Sequence, residues 1–88
     1  MKFEDLKFEQ HPSFPDEGAI QAYAKLDNGY EVSVIRGGLS YGKKDGLWEI
    51  GVFDASGRMC DPLGWGDDVK GWLTEKDVEK ELDKIAKI

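Results

Sequence analysis

The stretch IQAYAKLDNGYEVSVIR, residues 20–36, decides the fold of this chain. Before its central turn, apolar residues alternate with Gln21, Tyr23 and Lys25, and after the turn Val32 and Val34 alternate with Glu31, Ser33 and Ile35. This period of two is typical of β-strands that bury one face. The stretch therefore predicts two antiparallel strands joined by a short turn.

The turn also predicts how these two strands pair. A two-residue loop would place Lys25 opposite Val32 and mix polar and apolar side chains on one face. A three-residue loop over residues 27–29, with Gly29 in the left-handed conformation, instead places Ala24 opposite Val32. All the apolar residues then share one face, so we predict the three-residue loop.

The flanking sequence predicts further elements of the same sheet. We predict a strand over residues 4–11 and another over residues 47–54, separated from the central hairpin by a glycine-rich connection at residues 37–46. A second bulged turn after Asp54 places Val52 opposite Cys60 on the inner face of a short hairpin. The pattern over residues 67–73 fits either one helical turn or a short strand.

The end of the chain predicts an amphipathic helix. Thr74 and Asp77 have the spacing of a capping box, and apolar residues recur at helical intervals after them, at Val78, Leu82, Ile85 and Ala86. The predicted fold class is therefore α+β: a single domain over residues 1–88 with an antiparallel β-sheet of about four to five strands, packed by one C-terminal helix.

Composition restricts the expected partners and location. The net charge is −6, from 18 acidic and 12 basic residues, and residues 61–83 hold eight of the acids. Direct binding of nucleic acid requires the opposite sign, so we expect a protein partner with a basic surface. A single cysteine and the lack of an apolar signal or membrane-spanning run favour a cytoplasmic location without membrane association. Either a monomer or a homodimer is compatible with this length.

The sequence contains no recognisable catalytic group, cofactor-binding loop or metal-ligand motif. A catalytic His11 would need a partner that the sequence does not locate, and no basic residue flanks Cys60 directly. The acids at 61, 67 and 68 lack the spacing of a calcium-binding loop. The glycines near residue 40 lack the GxxxxGK[ST] phosphate-binding pattern. We therefore expect a protein that is not an enzyme and needs no cofactor.

Acidic and aromatic residues near the C-terminus are the candidates for a partner-binding surface. Large aromatics in loops bury much area for little lost side-chain freedom, and exposed acids attract a basic partner. The candidate residues are Trp65, Asp67, Asp68, Trp72, Glu75 and Glu79, with Tyr41 in the glycine-rich connection as a second patch.

Four pieces of the chain together resemble a type of small phage- and prophage-encoded protein with an NGYxVSV motif followed by DDVxGxLT. They are DNGYEVSVIRG at 27–37, YG at 41–42, WEIGVFDASGRMCD at 48–61 and DDVKGWLTEKDV at 67–78. The chain departs from this pattern by inserting LGWG at 63–66. The resemblance implies a phage origin and no catalytic residues.

The resemblance leads to two hypotheses for the function. The first is a non-catalytic inhibitor of a host protein, for example an anti-CRISPR protein that covers a basic surface of a CRISPR effector. The alternative is a structural or morphogenetic accessory protein of a phage that self-associates through its sheet edge.

Overall fold

A computed structural model describes residues 2–10, 19–37 and 46–88 of the chain. The elements are a 3-10 helix at Phe3–Asp5, then β1 Glu9–Gln10, β2 Ile20–Lys25, β3 Glu31–Arg36, β4 Trp48–Phe53, β5 Met59–Cys60, β6 Val69–Leu73 and α1 Glu75–Ala86. The predicted α+β fold class is confirmed. Within the described residues the antiparallel sheet has six strands, because residues 69–73, which the sequence left open between helix and strand, form β6.

The sheet is built around β4. Strands β1 to β4 are neighbours in chain order, while β5 and β6 both pair with the other edge of β4, at its end and its beginning respectively. α1 packs over one face of the sheet, which we call the inner face, and buries Val78, Leu82 and Ile85 completely there. The opposite face is called the outer face below.

The predicted register of the central hairpin is confirmed. Ala24 lies opposite Val32, and the N–H of Leu26 donates to the carbonyl of Tyr30 at 2.8 Å across the three-residue loop. Gly29 has a φ of +93°, in the left-handed region that a side chain rarely adopts. The local turn chemistry therefore selects the register that puts the apolar residues on the inner face.

The second predicted hairpin is confirmed as well. Val52 lies opposite Cys60, and the N–H of Asp54 donates to the carbonyl of Arg58 at 2.8 Å. Cys60 is half-buried and packs against the core, as its predicted inner-face position requires.

The predicted strand at the N-terminus is wrong in extent. Phe3–Asp5 forms a 3-10 helix and only Glu9–Gln10 pairs with β2, while His11 lies outside the described residues. The reason is tertiary: the rings of Phe3 and Phe8 both pack on Trp48, with ring centroids 5.0 and 4.7 Å away. The chain must fold back between them, which a straight strand does not allow.

The helix begins as predicted and has a slightly different buried face. The Thr74 hydroxyl accepts from the N–H of Asp77, and the Asp77 carboxylate accepts from the N–H of Thr74, both at 3.1 Å. This is the predicted capping box. Ala86 is exposed, however, and Glu81 takes a place in the buried stripe.

Candidate partner-binding surface

Trp72 is the candidate residue that the structure presents most openly. Its side chain is 61% exposed, although it belongs to β6 at an edge of the sheet. Its φ of +61° makes it the one described non-glycine residue in the left-handed region. A bulky residue in this region has a strained backbone, and such strain is common at functional sites, where the surrounding structure holds the residue in place.

A β-bulge produces this conformation. Leu73 lies opposite Trp48 and Lys70 lies opposite Ile50, so Gly71 and Trp72 together face a single residue of β4. The bulge interrupts the alternation of β6 and lets both Lys70 and Leu73 lie on the inner face. Trp72 is consequently turned outward, away from α1.

Asp67 and Asp68 are exposed and lie immediately before β6. Asp61 stabilises the loop that carries them. Its carboxylate accepts from the backbone N–H groups of Trp65 and Gly66 at 2.7 and 2.8 Å. Asp67 accepts from the N–H of Asp68 at 2.7 Å. Both carboxylates therefore lie at one end of the strand that carries Trp72.

Trp65 is placed differently from Trp72. It is half-buried, packs against the hydrophobic core, and its indole Nε1–H donates to Oε2 of Glu81 at 3.3 Å. Its ring closes the core beside α1, which is a stabilising role.

Glu75 and Glu79 are not gathered with the other acids. They line a surface depression between α1 and the 3-10 helix, together with residues 2–4. The Glu79 carboxylate accepts from the backbone N–H of Phe3 at 3.0 Å, which ties the N-terminal segment to the helix. The strand β6 separates these two residues from Asp67 and Asp68, a separation of roughly 15 Å at the rise of an extended chain. Tyr41, the remaining candidate, lies outside the described residues.

Glu81 is a buried acid that sequence reasoning missed. Only 4% of the residue is exposed, and its Oε1 accepts from Nζ of Lys70 at 2.9 Å and from Nζ of Lys84 at 3.4 Å. Burial is the largest influence on its pKa and raises it, but the hydrogen bond and charge of Lys70, helped by Lys84, lower the pKa overall. A signal was present: Glu81 follows Val78 by three residues and precedes Ile85 by four, the spacing of the buried stripe.

The outer face also carries apolar side chains that sequence reasoning did not select. Tyr23 is 58% and Met59 is 44% exposed, and both lie on the outer face because their strand neighbours Ala22, Ala24 and Cys60 face inward. The alternation around Tyr23 was visible in the sequence. This alternation predicts a strand, but it does not indicate that the face of Tyr23 binds a partner.

Other chemistry is limited within the described parts of the chain. Residues 2–10, 19–37 and 46–88 contain no group of three histidine, cysteine or acidic side chains placed to hold a metal ion. Burial, followed by the charges of Asp54, Asp68 and Asp61, raises the pKa of the Cys60 thiol and so disfavours the reactive thiolate. The helices of these same ranges are all too short or too polar to cross a membrane.

Comparison with known proteins gives no relative. No protein-family model, curated protein or solved structure matches this chain.

Proposed function

We propose that this protein is a non-catalytic binding protein that inhibits a host protein by covering a basic surface on it. A phage or prophage origin, implied by the sequence motifs, makes host defence or nucleic-acid machinery, such as a CRISPR effector, the expected class of target. The single observation that carries the proposal is Trp72, a strained and 61% exposed tryptophan on an edge strand.

The acids beside Trp72 support the expected charge of the partner. Asp67 and Asp68 are exposed at the start of the same strand, and the chain as a whole carries a net charge of −6. Acidic groups steer a basic partner toward the surface, whereas an aromatic ring that becomes buried in the interface slows dissociation of the partner. Steering would therefore come from the loop before β6, and anchoring from β6 itself.

The test begins with affinity purification from host lysate, with the tagged protein as bait and mass spectrometry as the readout. Three baits are compared with the wild type: Asp67→Lys with Asp68→Lys, Trp72→Ala, and Glu4→Lys with Glu75→Lys, two exposed acids of the depression beside α1. The last pair is the matched control, because it makes the same charge change at the other end of β6. The proposal expects a basic protein that the first two baits lose and the control retains.

Kinetics with the purified partner then separate the two contributions. Reversing Asp67 and Asp68 should slow association and weaken its salt dependence, while Trp72→Ala should speed dissociation by about 10-fold or more. Unchanged binding by both sets of folded variants would refute the proposal. Retention of an acidic partner would refute it too.

The second candidate function is self-association of a structural protein through the sheet edge. The observation that favours it is the position of β6, which among the described residues pairs with β4 alone. An edge strand offers its backbone groups to a second chain, although a bulge weakens that pairing. Sedimentation velocity at increasing concentration tests it, since assembly through β6 requires larger species to appear.

A further inference from the structure

The exposed apolar side chains of the described residues are concentrated on one face. Among the described residues four large hydrophobic side chains are exposed. Three of them, Tyr23, Met59 and Trp72, belong to the outer face by their strand positions. The fourth is Ile88 at the end of the chain, at 53% exposure. Apolar side chains gathered on one face mark an interaction surface more reliably than single scattered ones do.

The pairing of the strands places these side chains on the same face. Tyr23 lies opposite Ser33, Ser33 opposite Gly51, and Gly51 opposite Val69, so one row crosses the sheet from β2 to β6. Met59 extends over Gly51 from β5: its Cε lies 3.2 Å from where a Cβ of Gly51 would stand, and a Val69 methyl lies 3.5 Å from that point. Ser33 and Gly51 in the middle of the row are small and buried, whereas Tyr23 and Met59 are exposed.

The charges around this surface are mainly acidic. Glu31 has Lys25 opposite it on the neighbouring strand, and Glu49 lies in the same face but is buried, so neither is an exposed charge without a neighbour. Asp67 and Asp68 stand beside Val69 at the margin, unlike the helix side of the molecule, where lysines alternate with acids. A second copy of the chain would bring these acids toward acids, whereas lysine or arginine side chains would complement them.

We infer that the outer face is the docking surface for an apolar protein segment flanked by lysine or arginine residues, with Tyr23, Met59 and Trp72 as its anchors. The inference rests on the proposed function and extends it, because it adds two residues from other strands and gives the chemistry of the segment that is bound. Aromatic and methionine side chains are the residue types that anchor such surfaces.

The test uses a synthetic amphipathic peptide with leucine along one side and lysine along the other. Its binding to the full chain, labelled with fluorotryptophan, is followed by fluorine NMR. The three tryptophans report separately, because Trp48 is buried, Trp65 is half-buried and Trp72 is exposed. Two control peptides replace lysine by glutamate or leucine by serine, which removes one of the two required features.

The expected result is a shift of the Trp72 resonance with the leucine–lysine peptide and much weaker binding of both controls. Tyr23→Ala, Met59→Ala and Trp72→Ala should each weaken binding by about 5- to 30-fold, the range expected for anchor residues. Ile88→Ala is the matched control, since it removes an equally exposed apolar side chain elsewhere, and it should leave binding unchanged. Circular dichroism of each variant establishes that it is folded.

Several results would overturn the inference. One is a Trp72 resonance that does not move, and another is a glutamate peptide that binds as well as the lysine peptide. A third is an Ile88→Ala variant whose binding is weakened as much as that of Tyr23→Ala. A shift of the Trp72 resonance on dilution of the protein alone would assign the face to a second copy of the chain. A basic host protein lost with Asp67→Lys and Asp68→Lys, yet retained by Tyr23→Ala and Met59→Ala, would overturn this inference and keep the proposed function. Peptide binding at this face without any basic host partner would overturn the proposed function and keep this inference.

Discussion

Replacing Glu81 tests how the helix is joined to the sheet. Its carboxylate accepts from Lys70 at 2.9 Å, from the Trp65 indole at 3.3 Å and from Lys84 at 3.4 Å, so it connects α1 to β6 and to the preceding loop. Glu81→Gln keeps the size and one acceptor but removes the charge. Hydrogen bonds to charged groups contribute about 1 kcal/mol more than neutral ones, and the Lys84 side chain is too exposed to add much.

We expect Glu81→Gln to lower the free energy of unfolding by about 1–2 kcal/mol at neutral pH. Glu81→Ala should lower it by about 2–4 kcal/mol, because the half-buried indole N–H of Trp65 then also loses its acceptor. Urea denaturation followed by tryptophan fluorescence measures both. Glu75→Gln, an exposed position on the same helix, is the control and should cost less than about 1 kcal/mol.

The same variant has a distinctive pH dependence. Because the pKa of Glu81 is lowered in the folded protein, its ionised form contributes stability above its unfolded pKa, and this contribution disappears as the pH falls through the folded pKa. The difference between the wild type and Glu81→Gln should therefore be largest near neutral pH and shrink below about pH 4. Parallel pH profiles, or a loss at neutral pH of less than about 0.5 kcal/mol, would refute this account of the buried ion pair.

Three further predictions concern single residues. Trp72→Gly should raise the free energy of unfolding by about 0.5–1 kcal/mol in urea denaturation, because glycine adopts a φ of +61° without strain, whereas Trp72→Ala should give no such gain. Asn28→Ala should cost about 1 kcal/mol and speed hydrogen exchange in the last turn of α1, since the Asn28 side-chain amide donates to the carbonyl of Ile85 at 2.7 Å. Cys60 should react with thiol reagents more slowly than an unfolded peptide at neutral pH, and Asp61→Asn with Asp68→Asn should speed that reaction, because burial and then nearby acids raise the thiol pKa.

The candidate surface could be predicted only in part from the sequence. The sequence indicates Asp67, Asp68 and Trp72 as candidates, because residue type and position in a polar, glycine-rich segment are local properties. Their grouping was not found: β6 keeps Glu75 and Glu79 away from Asp67 and Asp68, and Tyr23 and Met59 join Trp72 only because β2, β5 and β6 belong to one sheet. Sequence distance gives no information about such neighbours.

The sequence by itself determined the features that depend on adjacent residues. Period-two alternation determines that Ala24 and Val32 share one face. Gly29 favours the three-residue loop, and the capping box of Thr74 and Asp77 sets the start of the helix. These follow from backbone sterics and hydrogen bonds within a few residues, so no distant contact is needed to decide them.

Only the tertiary structure decided the features that depend on distant contacts. The N-terminal residues form a 3-10 helix because Phe3 and Phe8 both pack on the ring of Trp48. Residues 69–73 become a bulged strand because β4 has an open edge there, and the bulge allows Lys70 to reach the buried Glu81. A short segment without a strong local preference takes the conformation that its neighbours in space stabilise most.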